Sequence, residues 1–102
     1  MTDRLQELMA FHEAAPEDDF ATYAIAQEYI KAGDPDEALR WIEKTIQIKP
    51  DHAYAYYQKA CVLSTSGRAD QARQAVADGL EAAHRSGDSK AAGELNELLE
   101  TF

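Results

Sequence analysis

Bridging cysteines, cationic charge and long apolar runs are what this chain has least of. Cys61 is its one cysteine, so there is no internal disulfide and no multi-cysteine metal site to hold the fold. Ten basic side chains stand against nineteen acidic ones, a net charge of −9. Nucleic acid and anionic membrane both need a cationic surface, so neither is expected as a partner. No apolar run approaches the roughly 18 residues of a membrane span. The first residues, Met1 to Glu7, carry acid early and alternate polar with apolar, unlike a signal peptide. The expected location is therefore the cytoplasm.

With 45% hydrophobic and 28% charged residues, the 102-residue chain reads as one globular domain. At that length folding buries roughly 60–70% of the unfolded surface, enough for a core without metals. Nineteen of the residues are alanine, which favours helices packed at close range.

The main signal is a self-match. Shifted by 34 positions, Tyr23 falls on Tyr57, Ala26 on Ala60, Gly33 on Gly67, Asp36 on Asp70 and Ala38 on Ala72. Shifted the other way, Pro50 falls on Pro16, Leu39 on Leu5 and Ile42 on Leu8. Recurrence at this period over two shifts marks a helical repeat array.

Helical spacing predicts six helices, over about 3–14, 19–32, 35–48, 53–66, 69–85 and 88–101. Leu5, Leu8, Met9 and His12 make the apolar stripe of the first. Asp18 or Asp19 is positioned to cap the second. Gly33 suits the left-handed turn after it. Asp34, Pro35 and Glu37 then open the third as N-cap, first helical residue and capping-box acid. Trp41 is expected half-buried between repeats. The fifth helix lacks a closing proline and should run long. In the last, Ala91, Leu95, Leu98, Leu99 and Phe102 form the apolar side. There the register of 34 fails: it puts Glu94 and Glu97 where Ala60 and Leu63 lie, so a shift of one or two residues is expected.

Chemistry is sparse. Cys61 has no histidine near it in sequence to act as its base, and His12, His52 and His84 lack the close pairing of a zinc site. His12 is expected in the core and the other two on the surface. The carboxylates of Glu17-Asp18-Asp19 and Asp34-Pro35-Asp36-Glu37 sit at helix starts, where they favour the positive dipole end. Gly33, Gly67 and Gly87 are isolated turn glycines, not a phosphate-cradling loop. No enzyme, cofactor or metal is expected.

The pattern resembles the tetratricopeptide repeat family, a 34-residue helix–turn–helix. Thr22, Ile25-Ala26, Tyr29, Ala38, Ile42, Thr45 and Pro50 carry the resemblance in the first unit. Tyr56, Lys59-Ala60, Leu63, Ala72, Val76 and Gly79 carry it in the second, where His84 replaces the proline and Lys59 an apolar residue. The resemblance implies an all-α, right-handed array of antiparallel helix pairs. Residues 1–18 would be an N-terminal cap, 19–52 and 53–86 two repeats, and 87–102 a C-terminal cap. It also implies a concave groove lined by Phe20, Tyr23, Gln27 and Lys31 of the first repeat. The second would add Tyr54, Tyr57, Gln58, Cys61 and Ser64.

Tyr54, Tyr57, Cys61 and Ser64 fall at helical spacings of three and four, on one face. Tyrosine offers contact area with a polar tip, though it also serves packing between neighbouring repeats. The family's basic clamp on a C-terminal carboxylate is expected to be missing, because Tyr23, Gln27, Tyr57 and Gln58 hold its positions. A ligand would then be neutral or basic and partly apolar. The leading expectation is a module that binds a peptide or helix of a partner protein. The alternative is a homodimer formed through the groove or through the last helix, with Leu95, Leu98, Leu99 and Phe102 buried on a second copy.

Overall fold

The computed structural model describes residues 3–102. Met1 and Thr2, where the expected capping segment starts, lie outside them. Six α-helices and no strand occur among the described residues: α1 (Asp3–Ala14), α2 (Asp19–Lys31), α3 (Pro35–Ile48), α4 (Ala53–Thr65), α5 (Ala69–Ser86) and α6 (Ser89–Leu99). The chain divides into two compact units, the first ending at Lys49 and the second running Pro50–Phe102.

In the first unit α2 packs against both α1 and α3. Asp18 caps α2, its carboxylate accepting from the Phe20 N–H at 2.9 Å. The turn out of α2 closes when the Asp34 N–H donates to the Tyr29 carbonyl at 3.0 Å. Gly33 lies between them at φ +74°, a conformation glycine adopts without a Cβ penalty. Asp34 then accepts from the Glu37 N–H at 3.2 Å and α3 begins at Pro35, as the local sequence predicts.

Ala21, Ile25, Ala26, Ala38 and Ile42 are fully buried, and the small alanines let the helix pair close up. The two threonines in this core satisfy each other. Thr45 Oγ1 donates to Thr22 Oγ1 at 2.8 Å, and Thr22 Oγ1 donates to the Asp19 carbonyl at 3.2 Å.

Trp41 departs from expectation. It is buried, where half-burial was expected. The His12 ring meets it edge-on at 5.1 Å, and the Arg40 and Lys44 cations lie over the indole at 5.6 and 5.1 Å. Those stems and the α1 histidine cover its faces. His12 itself is half-buried.

In the second unit α5 packs between α4 and α6, and α6 also touches α4. His52, expected as an ordinary surface residue, caps α4: its Nδ1 accepts from the Ala55 N–H at 3.1 Å. A neutral ring that accepts at Nδ1 carries its own proton on Nε2. Tyr56 Oη and Arg85 Nη2 both donate to the Pro50 carbonyl, at 2.9 and 3.0 Å, tying the start of the unit to α4 and α5.

Gly79 sets how closely α4 and α5 cross. A Cβ there would stand 2.7 Å from the Tyr56 Cβ and 3.1 Å from Leu95 Cδ1. The long α5 ends at Gly87, again left-handed at φ +68°, and Asp88 caps α6 by accepting from the Ala91 N–H at 3.0 Å. His84 is exposed near its end. Ala91 and Leu95 are buried and Leu98 half-buried. These positions answer to Tyr56, Ala60 and Leu63 after a shift of 35, so the extra length of α5 displaces the repeat register by one residue.

Candidate binding cleft

That one-residue displacement decides what faces α4 from α6. With Ala91 and Leu95 turned to the core, Glu94 and Glu97 flank the core stripe. They share a helix face because residues three apart are neighbours on a helix. Across from them α4 presents Tyr54, Tyr57 and Gln58 at spacings of three and four. Together with Leu98 and Thr101 these side chains line an open cleft of about 520 Å³ inside the second unit. The two tyrosine rings lie 6.4 Å apart and are tilted by 57°.

The cleft is electronegative. Burial raises the Tyr57 phenol above the usual tyrosine range, and neighbouring Cys61, Glu94 and Glu97 push it the same way. The lining contains two carboxylates and no lysine or arginine. Three acids elsewhere take cationic partners on their own helices: Glu28 with Lys31, Glu37 with Arg40, Asp70 with Arg73. Among the described residues, no such ion pair holds Glu94 or Glu97.

Of the expected groove residues in α4, three meet in this cleft: Tyr54, Tyr57 and Gln58. Cys61 and Ser64 are half-buried on the same helix and do not line it. Burial raises the Cys61 thiol, which keeps it protonated and a poor nucleophile. In the first unit Phe20 is 61% exposed and meets Phe11 edge-on at 6.3 Å. Tyr23 and Gln27 are half-buried, and Lys31 is exposed in its ion pair with Glu28.

Reading the sequence missed Glu94, Glu97, Leu98 and Thr101 as lining residues. The signal was present in the failed register, where a slip of one places leucine in the core and leaves the glutamates facing α4. Among the described residues there is no group of three or more His, Cys, Asp or Glu able to hold a metal ion.

Comparison with known proteins agrees with this architecture. The tetratricopeptide repeat sequence model matches residues 29–95, from α2 into α6. This chain belongs to the tetratricopeptide repeat family. A tetratricopeptide repeat domain protein from Salinibacter ruber is similar at 31% identity in its crystal structure. That match covers 82% of this chain and 93% of the other, with a TM-score of 0.76. The solution structure of a Salinibacter ruber tetratricopeptide repeat domain protein matches at 32% identity over 84% and 87%, TM-score 0.78.

MamA is similar at 25% identity and TM-score 0.78, over 81% of this chain and 48% of its own. No curated protein matches. Tetratricopeptide repeats generally mediate contacts between proteins, and in this member α4 and α6 frame the cleft. No helix among the described residues is long and apolar enough to cross a membrane.

Proposed function

We propose that this tetratricopeptide repeat protein is a non-enzymatic interaction module that binds a peptide or helix of a partner protein. The observation that carries this reading is the tyrosine-lined cleft between α4 and α6. It combines large aromatic area, polar tips and the Gln58 amide, which suits an extended backbone with mixed side chains. Tyr54, Tyr57 and Gln58, with Cys61 and Ser64 beside them, supply the surface of the second unit. Phe20, Tyr23, Gln27 and Lys31 supply that of the first, where the exposed Phe20 ring is the strongest support. Residues 1–18 and 87–102 act as the caps of two repeats, and the setting is the cytoplasm.

The test is capture from native cell extract, comparing the wild type with Tyr23→Ala/Tyr57→Ala. A partner retained by the wild type and lost from the double variant supports the reading. Equal capture by both proteins removes the tyrosine faces from it.

One observation favours a second reading, a homodimer through the C-terminal helix: Leu99 is 40% exposed at the end of α6, with Phe102 half-buried beyond it. On that reading light scattering gives a mass that doubles with concentration, and Phe102→Ala restores the monomer. A constant monomer mass across the range sets it aside.

A further inference from the structure

We infer that the cleft between α4 and α6 receives a cationic side chain of the partner, an arginine before a lysine. This rests on the reading of the chain as a peptide-binding module and adds what the module selects. Glu94 and Glu97 stand one turn apart on α6 and face the tyrosines across the cleft. Neither is neutralised by a basic side chain, unlike the paired acids of α2, α3 and α5.

Solvated glutamates on a capping helix need no ligand by themselves. These two differ because they share a concave site with aromatic rings. An aromatic face attracts a cation through its quadrupole, and a nearby carboxylate gives that cation a charge-assisted hydrogen bond.

Arginine fits better than lysine for a geometric reason. Its planar guanidinium can lie against a tyrosine ring while its fork of N–H donors reaches two acceptors, whereas an ammonium is a compact, strongly hydrated point charge. The Tyr54 and Tyr57 rings are tilted by 57°, so a flat group that lies against one meets the other obliquely. Leu98 gives the aliphatic stem an apolar wall. The chain's net charge of −9 adds long-range attraction for a basic segment.

The experiment uses the full chain and two pools of short synthetic peptides with degenerate flanks. One pool has arginine fixed at its centre; the other has citrulline, which keeps the shape and removes the charge. Backbone amide NMR follows each titration. The arginine pool is expected to shift Tyr54, Tyr57, Gln58, Glu94 and Glu97 and to bind at least about tenfold more tightly than the citrulline pool. That factor corresponds to one hydrogen bond to a charged group.

E94Q/E97Q should abolish the preference and keep its dispersed spectrum, since neither carboxylate is in the core. Glu100→Gln, an exposed change outside the cleft lining, should leave binding unaltered. Equal binding of the two pools at α4, or an E94Q/E97Q protein that still prefers arginine, overturns the cation site and leaves peptide binding standing. No shift at α4 with either pool overturns both.

Discussion

Gly79 and the Thr22–Thr45 pair are single residues on which the packing of each unit turns. Gly79→Ala gains roughly 1 kcal/mol of helix propensity. The added methyl would meet the Tyr56 Cβ, which belongs to the backbone frame of α4 and cannot swing away. Overpacking of about 1–3 kcal/mol outweighs the gain, so thermal unfolding of this variant should come at lower temperature than wild type. An unchanged or higher midpoint would mean that α5 does not approach α4 this closely.

Thr45→Val should cost about 1 kcal/mol, the usual net worth of a buried hydrogen bond. The double variant with Thr22→Val should lose less than the sum of the singles, because the two hydroxyls share one bond. Denaturant midpoints of the four proteins measure that coupling.

Tyr57 gives a pH dependence of fixed sign. Its folded phenol holds its proton above the usual tyrosine range, so in alkaline solution the unfolded chain releases that proton first. The stability linked to it is complete below the ordinary tyrosine pKa of about 10. It is lost as pH rises through the raised folded value. Tyr57→Phe should therefore lose less stability than wild type between neutral and strongly alkaline pH. Equal losses would mean that folding does not raise the Tyr57 phenol.

Among the elements, α6 is where the repeat register slips, by one residue, within the one or two expected. The turns into and out of α2 and α3 were legible because their causes are local. A left-handed Gly33 and an Asp34-Pro35 start act within a few residues. The position of Trp41 was not, since its burial depends on His12 and on the cation stems around it. The His52 cap was missed because histidine is an unusual N-cap.

The partial legibility of the cleft has one cause. Tyr54, Tyr57 and Gln58 follow from the repeat, whereas Glu94 and Glu97 depend on where an 18-residue α5 stops. Asp88 caps the start of α6. Asp88→Ala should cost about 1 kcal/mol and increase amide exchange across α6 more than across α4. Uniform exchange would show that α6 is held by its core residues alone.

For the whole molecule, the acidic balance and the cleft chemistry point the same way. A net charge of −9 opposes polyanions, so duplex DNA should fail to shift in a gel at low salt, while basic peptides bind and are released as salt rises. The family explains the scaffold of paired helices; the choice of partner lies in the side chains mounted on it.

Partner binding here requires that α4 and α6 jointly form the surface that is touched. NOE spectroscopy of the full chain with a peptide recovered from the arginine pool tests this directly. Cross-peaks from the arginine methylenes to the Tyr54 or Tyr57 rings and to Leu98 are expected. Cross-peaks confined to α5, with none to either tyrosine, would contradict it.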